Sequence, residues 1–192
     1  MKFQITGTVI LLSFYGCYFI KMRNQHKKGI KTDQIGRGKT GSAKIIELTM
    51  KAATFTAPVA EVISIILNTG LFPVPVRIAG AFAGIAGVAV FMVSVLTMRD
   101  SWRAGVSKTE KTDLVTGGIY QISRNPAFLG FDLVYIGLVL MFFNRVLLVV
   151  SVFAAVMLHL QIVKVEETFL VEAFGEEYAQ YRGKVCRYLG RR

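Results

Sequence analysis

Five long apolar runs dominate this chain and constrain its fold more than any other feature. They occupy residues 3–20, 45–68, 74–97, 127–143 and 146–165. A helix needs about 20 apolar residues to cross the hydrocarbon core of a bilayer, where the backbone must satisfy its own hydrogen bonds. The composition agrees, with 53% hydrophobic and 18% charged residues. The sequence therefore predicts an all-α polytopic integral membrane protein with about five transmembrane helices and a C-terminal cytoplasmic amphipathic helix.

Two of the runs have charged residues that bear on their assignment. Most basic residues near the first run follow it (Lys21, Arg23, Lys27 and Lys28) and a single one, Lys2, precedes it, which favours a retained helix over a signal peptide. The second is interrupted by Lys51, Pro58 and Glu61. An acidic residue inside a span normally faces the protein interior. Glu61 is therefore either an internal polar tie or part of a cavity wall that contacts substrate.

The distribution of positive charge predicts the orientation in the membrane. The net charge is +11, and Lys and Arg cluster in the loops 21–44 and 99–124 and in the tail after residue 164. The positive-inside rule places these segments in the cytoplasm, with the N-terminus outside and the C-terminus inside a cytoplasmic (inner) membrane. Because the basic residues flank the spans, we expect anionic lipid headgroups as partners and no nucleic acid.

The glycine-rich part of loop 21–44 contains Gly36, Gly38 and Gly41, but it lacks the spacing of a phosphate-binding loop. It is interpreted as a mobile loop that contacts headgroups, as is segment 107–111. Two cysteines and two histidines, all far apart, predict no metal site and no disulfide.

Small residues recur in the third and fourth runs. Gly80 and Gly84 are four apart, as are Ala83 and Gly87, and this spacing permits close helix contact. The contact lies either within one chain or in a homodimer through the third helix, and the sequence leaves both open.

A polar stretch before the fourth run is the first half of a candidate site. Asn125 suits a helix N-cap and Pro126 the first helical position. Arg124 would then lie beside the free N–H groups of the helix, a good place to hold an anion. The simpler alternative is an ordinary cap with an arginine that extends to the interface.

The second half of the site follows the fifth run. Because the turn at residues 144–145 reverses the chain, Glu166 and Glu167 return to the face on which Arg124 lies. His159 and Glu166 are seven residues apart and are predicted to share a helix face. A lone histidine in a span is more often a packing residue than a substrate contact, and both interpretations stay open.

Together the two halves resemble the isoprenylcysteine carboxyl methyltransferase family, whose wider superfamily includes phospholipid N-methyltransferases. The matching residues are Gly118, Tyr120, Arg124, Pro126 and Gly130, then Glu166, Glu167, Phe174, Gly175, Tyr178 and Tyr181. Two positions depart from the family pattern, since Asn125 stands where the family has His and Phe128 where it often has Tyr.

The resemblance implies an S-adenosylmethionine-dependent enzyme whose acceptor is lipidic or prenylated. The implied cofactor-binding residues are Tyr120, Arg124, Asn125, Pro126, Gly130, Glu166, Glu167, Tyr178 and Tyr181. Arg124 would hold the cofactor carboxylate, the glutamates its ribose hydroxyls or ammonium, and the tyrosines its adenine. Glu61 and His159 are weaker candidates for substrate contacts, and no catalytic base is assigned.

Residues 1–97 are predicted to form an N-terminal transmembrane scaffold, and residues 98–192 the catalytic region. Two other functions remain open at this point. One is a reductase-like relative that uses a nicotinamide cofactor. The other is a non-catalytic membrane protein, which Asn125 in place of histidine would favour.

Overall fold

The structure of the chain, a computed structural model, describes residues 1–106 and 112–191 and is all-helical over that part. The α-helices are α1 (Lys2–Lys27), α2 (Gly41–Leu67), α3 (Val74–Met98), α4 (Pro126–Met141), α5 (Arg145–Gln161) and α6 (Glu167–Lys184). A π-helix, Ile162–Glu166, joins α5 to α6, and 3-10 turns lie at Arg99–Ser101 and Gly118–Gln121. The predicted all-α fold is confirmed, and segment 107–111 lies outside the described residues.

In the part of the chain that the structure describes, four helical segments are long and apolar enough to cross a membrane. They are Lys2–Lys27, Gly41–Leu67, Val74–Ser101 and the segment Arg145–Lys184, whose backbone is kinked at Gly175. The apolar helix α4 has 16 residues, which at about 1.5 Å per residue gives a length of about 24 Å. It is the shortest of the five predicted spans. The chain is a multi-pass membrane protein.

Successive helices alternate in direction. The start of one helix therefore lies beside the end of the next, and the two ends of the bundle contain different helix termini. At one end, the turn end, Gln4 on α1 donates to Ile65 O on α2 and Arg77 on α3 donates to Met141 O on α4. At the other, the polar end, the α1 residue Gln25 donates to Trp102 O beyond α3. The N-terminus of α4 and the tail 185–191 also lie at the polar end. The two chain ends are therefore at opposite ends of the bundle.

The most extensive helix contact joins α3 to α4 along a line of glycines, which we call the glycine seam (Gly80, Gly84, Gly87, Gly130 and Gly137). A Cβ atom built at Gly137 would lie 2.6 Å from Gly84 N, and one at Gly87 would lie 2.7 Å from Gly130 O. Ile10 of α1 covers Gly84. Of the two contacts that the spacing left open, the one within a single copy is therefore present, since α4 and α1 pack on this face of α3.

The turn between α4 and α5 is short, as predicted. Asn144 caps α5, because its side-chain oxygen accepts from Leu147 N at 2.9 Å. The two helices nevertheless have different main neighbours, since α4 packs chiefly against α3 and α5 chiefly against α2. The turn reverses the chain without making α4 and α5 each other's principal packing partner.

The loop after α1, which the sequence predicts to be mobile, has hydrogen bonds to the rest of the polar end. It pairs with the segment after α3, because Ala104 N donates to Thr32 O at 3.0 Å and Gln34 N donates to Ala104 O at 2.8 Å. Lys39 forms an ion pair with the buried Glu47 at the start of α2. These bonds give the loop a defined place at the polar end.

Candidate functional site

A cavity of about 570 Å³ opens at the polar end of the bundle. Its volume lies within the range of small-molecule sites, about 300–1,000 Å³. Six predicted site residues border it: Tyr120, Arg124, Asn125, Glu166, Tyr178 and Tyr181. Five predicted residues are not among those that border it in the described part of the chain: Pro126, Gly130, Glu167, Glu61 and His159. Gly130 instead belongs to the glycine seam.

Three tyrosines form one wall of the cavity. Tyr120, Tyr178 and Tyr181 are buried together, and the Tyr181 hydroxyl donates to Tyr120 O at 2.6 Å. The rings of Tyr178 and Tyr181 are 6.3 Å apart in an edge-on arrangement. Burial raises the pKa of Tyr120, so its hydroxyl stays protonated at neutral pH. The wall is therefore aromatic, uncharged and held in a fixed orientation.

Arg124 is buried, with 5% of its side chain exposed, and its guanidinium group already has several partners. Its Nε donates to Val185 O at 3.1 Å and its Nη1 to the Tyr178 hydroxyl at 2.7 Å. Nη1 also lies 3.0 Å from Glu167 Oε1. The prediction placed Arg124 beside an open helix N-terminus as an anion holder. The structure instead pairs it with a carboxylate of its own chain.

Glu167 lies between two guanidinium groups, and we call this set the Arg–Glu–Arg cluster (Arg124, Glu167 and Arg187). Arg187 donates from Nε and Nη2 to the two oxygens of Glu167, each at 2.9 Å. These hydrogen bonds raise the pKa of Arg187. Removing one member of a buried ion pair leaves an uncompensated charge, which is strongly unfavourable. The cluster therefore fastens the tail to the start of α6.

Asn125 has the predicted position in the helix, but its side chain has a different hydrogen-bond partner. It stands at the N-cap position of α4, and Pro126 follows at the first helical position as predicted. The Asn125 side chain makes no cap hydrogen bond. Its Nδ2 donates instead to Arg187 O at 3.0 Å. The predicted side-chain cap is wrong, because the amide reaches the tail.

The tail packs against residues of the site, which the sequence pattern did not predict. Arg124 N donates to Cys186 O at 3.1 Å, and Gly190 N donates to Ile122 O at 2.8 Å. The tail thus covers the outer side of the turn that carries Arg124 and Asn125. Its basic composition gave no signal of this role, because basic residues at a cytoplasmic end are expected in any case.

Glu166 and His159 do not share a face, which corrects the prediction from their seven-residue spacing. The π-helix between them has i→i+5 bonds and a wider turn, so the α-helical register does not carry through it. Glu166 borders the cavity. His159 is exposed, with Nδ1 2.6 Å from the Tyr188 hydroxyl and the two rings stacked. The adjacent glutamates therefore have different neighbours: Glu166 borders the cavity, and Glu167 pairs with Arg124 and Arg187.

Glu61 fits the interpretation as an internal tie. It is fully buried, and the Tyr15 hydroxyl lies 3.3 Å from its Oε2. Tyr15 borders the cavity. Sequence reasoning also missed Gln161, a buried polar residue on α5 that borders the same cavity. Its only sequence signal is its polar type within an apolar run.

Fold and site together define a polytopic α-helical membrane protein with an aromatic-walled cavity at its basic, polar end. The profile of the phospholipid methyltransferase family matches residues 76–177, which is more than half of the chain. The chain belongs to this family.

One curated relative supports the same assignment. The chain is 31% identical over 134 residues to the Protein-S-isoprenylcysteine O-methyltransferase of Saccharomyces cerevisiae. The aligned region covers 69% of this chain and 54% of the yeast protein, so the chain spans about half the length of that relative. The family resemblance noted in the sequence is confirmed.

Proposed function

We propose that the chain is an S-adenosylmethionine-dependent membrane methyltransferase that acts on a lipidic or prenylated small acceptor. The family assignment supports methyl transfer, and the yeast relative is named for O-methylation of an S-isoprenylcysteine. The observation that carries the proposal is the cavity at the polar end, which combines aromatic walls with a few polar groups.

The residues that border the cavity fit this cofactor. The tyrosine wall of Tyr120, Tyr178 and Tyr181 suits a flat heterocycle. Glu166 supplies carboxylate oxygens that suit ribose hydroxyls or an ammonium group. Arg124 reaches the cavity as well, although its Nε and Nη1 are engaged. When bound, S-adenosylmethionine supplies an activated methyl group. The chain binds and orients the reactants and excludes water from them.

The acceptor is proposed to enter from the bilayer. Phe19, Met22 and Phe55 on α1 and α2 border the cavity and give it an apolar side. Carrying a lipidic group through water is costly, since apolar surface costs about 25 cal/mol per Å². A carboxylate or thiolate acceptor needs no general base, whereas an amine must first lose a proton, and no residue is assigned to that step.

The orientation and the division of the chain are also proposals. The basic loops 21–44 and 99–124 and the tail would face the cytoplasm and anionic headgroups of an inner membrane, with the N-terminus outside. Residues 1–97 would be scaffold and 98–192 catalytic. Tyr15, Tyr18 and Met50 from the first part also border the cavity, so the scaffold contributes directly to the site.

Isothermal titration of the purified protein in detergent with S-adenosylhomocysteine tests the proposal, with NADPH as the second ligand. We expect S-adenosylhomocysteine to bind and NADPH not to bind. Glu166→Gln should weaken binding about tenfold or more, because a hydrogen bond to a charged group contributes about 1.5–3 kcal/mol. Glu176→Gln, at an exposed position of α6, is the matched control and should bind normally.

Transfer of a labelled methyl group then tests the acceptor. With membrane lipid extract and water-soluble thiols, acids and amines offered separately, the label should enter the lipid fraction. Binding of NADPH alone would favour the reductase function. Binding of neither ligand would favour a non-catalytic protein.

A further inference from the structure

We propose that Gln161 is a ligand-binding residue of the cavity, which accepts a hydrogen bond from an N–H or O–H group of the methyl donor. This inference rests on the proposed function and deepens it. Gln161 is fully buried on the last turn of α5 and borders the cavity. Its Oε1 has no hydrogen-bond partner among the described residues. A buried acceptor without a partner costs about 1–3 kcal/mol, so a donor supplied by a ligand would relieve that cost.

The orientation of the Gln161 amide follows from the hydrogen bond that its NH₂ group makes. Nε2 donates to Glu47 Oε1 at 3.1 Å. A carboxylate can only accept hydrogen bonds when ionised, so the NH₂ group must face Glu47 and the carbonyl oxygen must face away. A rotation of the amide by half a turn would bring two acceptors together. Glu47 therefore acts as a positioning residue that fixes which end of Gln161 is presented to a ligand.

Glu47 is itself held from two sides. It is fully buried, Lys39 forms an ion pair with Oε1, and Gly36 N donates to Oε2. The positioning group thus comes from the loop after α1 and the start of α2. Both lie before residues 76–177, the segment that matches the family profile. The family assignment therefore says nothing about this part of the site.

The π-helix places a second carboxyl group beside the Gln161 amide. Its i→i+5 turn begins directly after Gln161, so Glu166 lies one π-turn further along the same side. Both residues border the cavity, and the Gln161 amide donates a hydrogen bond to the Glu166 carboxyl group. With its NH₂ group turned toward the two carboxyl groups, Gln161 is left with Oε1 as an acceptor without a partner among the described residues, and Oε1 selects for a hydrogen-bond donor. In the methyl donor this is either the ammonium group or a donor of the nucleoside.

Titration with two ligands tests the assignment and separates these sources. S-adenosylhomocysteine carries the ammonium group, and 5′-methylthioadenosine has the nucleoside without it. Gln161→Leu should retain the fold, because Glu47 keeps Lys39 and Gly36 as partners. We expect this change to weaken S-adenosylhomocysteine binding about two- to tenfold, as for one lost hydrogen bond. Gln4→Leu at the turn end is the matched control and should leave affinity unchanged.

A loss confined to S-adenosylhomocysteine assigns the contact to the ammonium group, and an equal loss for both ligands assigns it to the nucleoside. Unchanged affinity for both ligands, in a variant that unfolds at the normal temperature, would overturn the inference while leaving the proposed function intact. Failure of the unaltered protein to bind S-adenosylhomocysteine would instead count against the proposed function itself.

A double-mutant cycle tests the role of Glu47. If Glu47 acts through Gln161, Glu47→Gln should weaken binding severalfold in the unaltered protein and have no further effect in the Gln161→Leu background. Equal weakening in both backgrounds would show that Glu47 affects binding independently of Gln161 and would remove it as a positioning residue.

Discussion

The glycine seam and the Arg–Glu–Arg cluster hold two regions of the same bundle together by opposite means. In the seam, side chains are absent, and the backbones of α3 and α4 approach so closely that a Cβ atom at Gly80 would lie 2.6 Å from Gly137 O. In the cluster, three long charged side chains meet, and each oxygen of Glu167 accepts a hydrogen bond. The seam depends on shape and the cluster on complete pairing.

The difference shows which parts of a membrane protein are sensitive to which kind of change. Lipid offers little hydrophobic drive for helix association, so α3 and α4 depend on close packing. The polar end is reached by water and can hold charges, yet its charges are buried enough to need partners. A change in volume should damage the seam, and a change in charge should damage the cluster.

The largest effect is expected from Gly137→Leu in the seam. Its Cβ atom alone would lie 2.6 Å from Gly84 N and 2.7 Å from Gly80 O, and backbone atoms cannot rotate away. We expect destabilisation of about 3 kcal/mol or more, and therefore loss of the folded protein on purification. Gly16→Leu on α1 is the matched control, because a Cβ atom there would meet none of the described residues within 4 Å.

Thermal unfolding followed by size-exclusion chromatography in detergent measures both variants. Comparable behaviour of Gly137→Leu and Gly16→Leu would contradict the close approach of α3 and α4.

A smaller but still large effect is expected from Glu167→Gln in the cluster. The change keeps the shape and removes the charge between Arg124 and Arg187, so the buried guanidinium group of Arg124 loses its counter-ion. Loss of one partner in a fully buried pair costs about 3–5 kcal/mol, and the cost here should be smaller because the Arg187 side chain is 35% exposed. Glu177→Gln, at an exposed position on the same helix, is the control.

The two measurements together also sharpen the interpretation of the adjacent glutamates. Glu167→Gln should lower the unfolding temperature more than Glu166→Gln does, whereas Glu166→Gln should be the one that weakens binding of S-adenosylhomocysteine directly. A Glu167→Gln variant that unfolds normally but fails to bind would place Glu167 in the ligand site after all.

The seam could be predicted from the sequence because its signal is local. Glycines four and seven apart on one helix share a face whatever surrounds them, and Gly80, Gly84, Gly130 and Gly137 all lie on such faces. The spans were likewise readable, since length and apolar composition define them. The glycine spacing did not show which helix packs on this face of α3. In the structure that helix is α4.

At the polar end, the sequence predicted which charged residues lie close together but not which of them form ion pairs. The reversal after α4 was enough to bring Arg124 near Glu166 and Glu167. Which carboxylate meets the arginine depends on the π-helix, whose wider turn has no signature in residue type. The tail's Arg187 then completes the cluster. A charged residue has the same appearance in sequence whether it binds a ligand or another side chain.

The smallest expected effect concerns Asn125, which links the cluster to the turn before α4. Asn125→Leu removes the donor to Arg187 O and should cost about 0.5–1.5 kcal/mol, as for one neutral hydrogen bond. Asn125→His keeps a ring N–H donor and should lose less.

Hydrogen exchange at two backbone amides reports whether the tail is loosened. Cys186 N donates to Gly190 O, and Gly190 N donates to Ile122 O. We expect faster exchange in the leucine variant than in the histidine variant. Equal exchange in both would mean that the Arg–Glu–Arg cluster and the backbone bonds hold the tail without help from the amide, and the histidine typical of the family would then have to act on something other than the tail.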